Sequence, residues 1–202
     1  MSRIIANAYR HTGASADAIT LDSSGNVTFP ANATCSGTAT GFGGGKILQV
    51  VQTLKTDTAS ITSSNTNNFV DISGMSVSIT PSATTSKILV FFTICLSGNA
   101  GTFHIRLVRG STNIGIGTSE GNRLGSTILY RPMGSPYQHA CDAVSSTVLD
   151  TPSTTSATTY KLQGSAGSTY SATWYFNRTY DNSNNDYDGR PISSITAIEV
   201  GA

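Results

Sequence analysis

Charge is the scarcest ingredient of this sequence. Asp, Glu, Lys and Arg make up 11% of its 202 residues, where about 25% is ordinary for a soluble protein. Glu occurs only as Glu120 and Glu199, and Lys only as Lys46, Lys55, Lys87 and Lys161. The helix-favouring charged residues are thus nearly missing, and 20 glycines weigh the same way. Helices are excluded as the main element, and strands joined by tight turns are expected. The net charge is +1 with no basic cluster, which argues against binding nucleic acid through its phosphates. So small a charge leaves pH and salt little to act on. That suits a protein facing an uncontrolled medium, and equally a merely bland surface.

Cysteine is nearly as sparse. Cys35, Cys95 and Cys141 are widely spaced, and no Cys-x-x-Cys motif occurs. Cys95 lies in an apolar run and is expected to be a buried thiol, while pairing of Cys35 with Cys141, across the fold or between chains, stays open. The opening stretch MSRIIANAYRHTG lacks the apolar core of a secretion signal, so synthesis in a cytoplasm is expected. The longest apolar run, Lys87 to Ser97 (KILVFFTICLS), is far too short for a transmembrane helix. No membrane insertion is expected.

That same run is the centre of what is present. β-Branched and aromatic residues fill it, and Pro81, Ser82, Ser86, Gly98 and Asn99 bound it, as expected of a sandwich strand with both faces buried. Around it, Lys46–Lys55, Phe69–Ile72, Met75–Thr80, Thr102–Arg109, Asn113–Thr118, Ser126–Tyr130, Ala143–Leu149, Tyr160–Gln163, Ser171–Asn177 and Ser194–Val200 read as further strands. The expectation is an all-β, antiparallel jelly-roll sandwich of about ten strands over residues 46–202. Hydrophobic residues, at 38%, suffice for its core. In Ser171–Asn177, alternation sends Trp174 and Phe176 into that core and Tyr175 the other way.

Residues 1–45 form a separate section. Ile19-Thr20-Leu21 and Val27-Thr28-Phe29 flank a turn over Asp22–Asn26, which reads as a hairpin. A lone hairpin is marginal in water. This section therefore needs the main domain, a partner or copies of itself, with Ile19, Leu21, Val27 and Phe29 as its contact residues. The glycines before Lys46 match no phosphate loop, since Thr40 stands at the first glycine position and Ile47 at the hydroxyl position. The dinucleotide pattern fails as well, because Lys46 replaces its third glycine. They read as a linker, and no cofactor is expected.

Three chemistries have candidate residues in the sequence. His104, or His139 near Asp142, with one of many serines can mimic a triad, but no Gly-x-Ser-x-Gly elbow occurs. His104 reads instead as a strand-face histidine, one placed to meet copies of itself at a symmetry axis. Glu120, Glu199 and scattered Asp show no pattern of paired glycosidase acids. The run Asp181–Gly189 (DNSNNDYDG) is oxygen-rich, yet on a calcium-loop alignment Ile195 occupies the place of the bidentate Glu. A solvated loop is the preferred reading. As a surface-binding loop it would offer Tyr180, Asp181, Asn184, Asp186, Tyr187 and Asp188, since Tyr and Asn serve well in adaptable contacts.

The segment DAITLDSSGNVTFP (Asp17 to Pro30) resembles the opening of tail-fibre and related virion structural proteins of tailed, especially marine, bacteriophages. SSITAIEVGA (Ser193 to Ala202) resembles the closing strand of such proteins. The main domain resembles the trimeric jelly roll of the tumour necrosis factor and complement-head type. These resemblances imply a non-enzymatic virion protein, assembled in the host cytoplasm. It would be a homotrimeric short fibre or knob whose residues 1–45 join other virion proteins and whose head adheres to host-surface polysaccharide. They equally fit a capsid or tail decoration protein. A surface-polysaccharide hydrolase is the enzyme-class alternative.

Overall fold

A computed structural model of the chain describes residues 6–29, 46–63, 67–98, 100–132, 138–166 and 172–201. Every regular element among them is a strand. The chain divides into two compact units, Met1–Gly44 and Gly45–Ala202.

In the first unit β1 (Ala8–Tyr9), β2 (Ile19–Leu21) and β3 (Val27–Thr28) form one antiparallel sheet in the order β1-β2-β3. The expected hairpin is β2–β3. Its turn is closed by Asp22, whose Oδ1 accepts from the backbone N–H of Ser24 at 2.9 Å and of Asn26 at 2.8 Å. The Asn26 amide holds the other carboxylate oxygen at 2.7 Å. No described residue of this unit is buried: Ile19 and Leu21 are intermediate, Val27 and Phe29 exposed. The Gly-rich run and Cys35 lie outside the described residues.

The second unit is an antiparallel β-sandwich. Its strands are β4 (Ile47–Lys55), β5 (Ala59–Ser63), β6 (Val70–Ile79), β7 (Lys87–Ser97), β8 (Phe103–Arg109), β9 (Thr112–Ile114), β10 (Ile128–Tyr130), β11 (Asp142–Asp150), β12 (Thr158–Ala166), β13 (Ala172–Phe176) and β14 (Ser193–Val200). In the front sheet β11 lines one side of β7, while β14 and β13 follow end to end along the other. β4 then pairs with β14, and β5 with β13. In the back sheet β12 joins β6 to β8, whose far side carries β9 and β10 end to end. From β6 onward the chain passes between sheets at β7, β8, β11, β12 and β13.

Alternation explains the core. Ile88, Val90, Phe92 and Ile94 from β7 meet Phe103, Ile105 and Leu107 from β8, all 0% exposed. Trp174 and Phe176 enter the core from β13, and the Phe103 ring lies 5.0 Å from the Trp174 ring across the two sheets. The expectation that β7 is buried on both faces needs correction. Its second face looks outward, where Leu89 is half-buried and Phe91 is 43% exposed. Apolar composition alone does not distinguish a core face from one left open.

Two expected strand boundaries also shift. Phe69–Ile72 and Met75–Thr80 are one strand, β6, because Gly74 at φ +78° absorbs the irregularity between them. β12 runs through Gly164 and Ser165, which read as a strand end. A Cβ at Gly164 would sit 2.1 Å from Phe103 Cζ, so the strand needs a residue without a side chain there.

Glu199 is the notable buried charge of β14, at 0% exposure. Its Oε1 accepts from the backbone N–H and hydroxyl of Ser82 at 2.7 and 2.6 Å, and its Oε2 from Gln49 at 2.6 Å. Burial pushes its pKa up, but these bonds outweigh it and lower the value from 4.5 to about 2. A carboxyl lowered on folding stabilises fully above its unfolded value and loses that contribution as pH falls from about 4.5 through 2. Glu199→Gln is therefore expected to cost about 2 kcal/mol at pH 7. The cost should vanish near pH 2, as read by urea unfolding across that range.

Candidate functional site

Three surface features present chemistry: the loop before β14, the outward face of the front sheet, and a cavity on the back sheet.

The loop 177–190 is tightly ordered, and Asp188 is the reason. Its side chain is 1% exposed. Oδ1 accepts from His139 Nδ1 at 2.9 Å and Thr179 Oγ1 at 2.6 Å, and Oδ2 from the backbone N–H of Ser183 at 2.9 Å and from the Ser183 hydroxyl. Hydrogen bonds from Ser183, Thr179 and His139 hold its pKa far below the usual carboxylate range. His139 stacks edge-on against Tyr187 at 4.6 Å, and Arg178 lies 4.0 Å over the Tyr175 ring. His139, Asp181 and Asp188 bring ligand atoms within 4.8 Å of one another. Both oxygens of Asp188 are already occupied by donors, so the cluster reads as a structural clamp rather than an ion site.

Of the expected contact residues, Tyr180 is half-buried, while Asp181, Asn184, Asp186 and Tyr187 are exposed. Asp188 is turned inward as the tether. Asp188→Asn is accordingly expected to weaken hydrogen-exchange protection across residues 179–188 while leaving the β7 amides protected.

The candidate catalytic groupings do not assemble among the described residues. His139 pairs with Asp188 rather than Asp142, whose Oδ2 instead accepts the Tyr130 hydroxyl at 2.6 Å. Glu120 pairs with Arg123 at 2.9 Å on an exposed loop, and Glu199 is sealed in the bonds described above. Cys95 and Cys141 are free thiols. Burial pushes the Cys141 pKa up to about 12, so this thiol stays protonated and unreactive.

The outward face of the front sheet is a different kind of surface. One row crosses four of its strands: Leu149 on β11, Leu89 on β7, Ile198 on β14 and Val50 on β4. The next row is Thr147, Phe91, Thr196 and Gln52, and the third is Ser145, Thr93, Ser194 and Leu54. None of these positions carries a charge. Leu48 at 46%, Val50 at 58%, Leu54 at 51%, Phe91 at 43% and Leu149 at 56% remain exposed.

The back sheet's outward face is its opposite. Arg106 Nε and Nη2 donate to Gln163 Oε1 at 2.9 and 2.7 Å, Gln163 donates to Asp71 at 2.6 Å, and Lys161 pairs with Asp71 at 2.8 Å. Arg106 also lies 3.9 Å over the Phe69 ring. Lysine, glutamine and hydroxyl hydrogen bonds thus knit this face into a solvated network.

No protein-family model and no curated protein matches this chain.

The front face was partly readable in advance. Leu48, Val50, Gln52 and Leu54 share one side of a strand by their spacing alone. What was missing was the register that aligns them with Phe91 and Leu149, which are remote in sequence. His104, expected on a strand face, stands there beside Leu129 of β10, its partner across the pair. Burial lowers its pKa by disfavouring the charged imidazolium.

Proposed function

We propose that this chain is a non-enzymatic structural protein of a tailed-bacteriophage virion. In this reading it is a homotrimer whose residues 46–202 form a displayed head and whose residues 1–45 attach it to the particle. The observation that carries the reading is the contrast between the two sandwich faces. A chain with so few charges places its charged network on one sheet and leaves the other open, with Lys87 at its rim and exposed Leu, Val and Phe across its middle. Contiguous apolar surface of this kind marks an interaction site, and closed self-association is the commonest way to cover it. Burying the exposed parts of these side chains contributes roughly 1 kcal/mol for each.

The jelly-roll part of the reading is supported by the chain's repeated passage between sheets, with β14 inserted between β4 and β7. The number three comes from the resemblance, as do the virion setting and the host-facing role. The first unit supports attachment through its lack of any buried residue among those described, since such a sheet gains by burying Ile19, Leu21, Val27 and Phe29 against copies or a scaffold.

Sedimentation equilibrium on the full chain is expected to return three chains per particle at micromolar concentration, and a monomer would overturn the assembly. Phage lacking the protein should adsorb poorly. A fragile particle that still adsorbs would replace adhesion with shell or tail decoration.

A further inference from the structure

The back sheet carries a cavity of about 640 Å³ where the loop between β9 and β10 folds over β8, within the size range of small-ligand sites. His104 and Leu129, direct partners across the β8–β10 pair, form part of its lining. Leu129 is 60% exposed, an apolar side chain left open in a polar surround. The loop supplies Ser119, Asn122, Arg123 and Leu124.

This loop has almost no apolar content, yet it is held in place. Gly117 N–H donates to Ser126 O at 3.1 Å, and Glu120 and Arg123 exchange two backbone bonds at 3.0 and 2.9 Å. Gly125 N–H donates to the Ser119 hydroxyl at 2.8 Å. A wall already ordered spares a ligand much of the entropy of arranging it.

The lining chemistry narrows the ligand. Amide, hydroxyl and imidazole groups converge beside two leucines, which matches a pyranose with its hydroxyl rim and C–H face. Arg123 supplies a guanidinium, and no carboxylate is among the described residues lining the cavity. Its Nη2 meets the Glu120 carboxylate at 2.9 Å, but that pair is exposed on both sides and so contributes little, which leaves the guanidinium open to an acidic ligand that shares or displaces Glu120.

The geometry points to this cavity as a binding site for one acidic sugar unit, a uronic or sialic acid, of a surface glycan. The sugar carboxylate would meet Arg123, its hydroxyls Asn122 and Ser119, and its apolar face Leu129. The inference rests on the host-facing reading of the head and assigns that role to the back sheet.

Titration of the full chain with N-acetylneuraminic acid and with glucuronic acid, followed by NMR, tests it. Lactose serves as the neutral control. At least one acid is expected to bind with a Kd of about 1 mM or tighter and to shift the amides of Asn122, Arg123 and Leu129. Lactose should bind at least tenfold more weakly. Arg123→Ala and Asn122→Ala should each weaken binding about tenfold, a change of about 1.4 kcal/mol. Both residues are exposed, and unchanged melting curves would show the variants folded.

No shifts with either acid at about 10 mM would overturn the inference, as would equal binding of lactose or unaltered binding by Arg123→Ala. Solution mass measured on the same samples separates the two proposals. A trimer that ignores both acids loses only the sugar site, whereas a monomer that binds them loses only the assembly.

Discussion

Phe91→Glu is expected to dissociate the assembly while leaving each head folded. Phe91 stands mid-strand on β7, flanked by Thr147 of β11 and Thr196 of β14. Because it is 43% exposed in the single chain, a carboxylate placed there can reach water, and the cost to the isolated fold should stay below about 1 kcal/mol. Within an interface the same carboxylate would be desolvated beside leucines and valines with no cation near. That costs several kcal/mol per ion, and closed symmetry repeats it in every copy. Sedimentation should therefore show one chain per particle where the parent shows three, with melting temperatures within a few degrees. Glu in place of the exposed back-sheet Thr159 is the matched control and should leave the mass alone. A trimer that survives Phe91→Glu would place the interface elsewhere.

Asn177→Ala should cause the largest loss of stability among single exposed-looking polar residues. Asn177-Arg178-Thr179 has the form of a glycosylation sequon, a chance match in so Thr-rich a chain, and Asn177 is 0% exposed. Its amide donates to the carbonyls of Lys55 and Asp57, both at 2.9 Å, and its Oδ1 accepts the Ser193 hydroxyl at 2.5 Å. That hydroxyl oxygen accepts in turn from the backbone N–H of Cys95 at 2.9 Å. One side chain therefore joins the β4–β5 turn, β7 and the start of β14. Alanine would leave two carbonyls and a hydroxyl short of partners and would occupy φ +57°, a conformation that suits Asn but penalises Ala. Together these cost about 3–5 kcal/mol, or about 10 °C or more in Tm. Asn177→Gly removes the same hydrogen bonds but relieves the backbone penalty, so it should recover about 1 kcal/mol. A loss under 1 kcal/mol for Asn177→Ala in urea unfolding would show that water replaces the amide.

The sheet class was legible because strand periodicity is a local property. KILVFFTICLS gave β7 to the residue, and TFHIRLVR gave the inward set Phe103, Ile105 and Leu107. What escaped depended on contacts between distant residues. β5 is a short polar strand whose existence rests on pairing with β13. β12 is interrupted in composition by Gly164, whose place only the Phe103 ring explains. Asp188 was read as one acid among several, because nothing in DNSNNDYDG distinguishes a buried hydrogen-bond acceptor from a solvated one. The cavity was invisible for a similar reason. Its loop and its β8 and β10 residues are assembled by strand pairing, and a Gly- and Ser-rich string carries no periodic signal of its own.

The position of β14 has a consequence for how the molecule is made. β4 and β7 flank it on either side, and both leave the ribosome long before it is translated. Until β14 arrives, the front sheet has a gap at its middle, with unpaired strand edges on both sides of the opening. Such edges invite pairing with other nascent chains. The head therefore closes late, when β14 enters between β4 and β7.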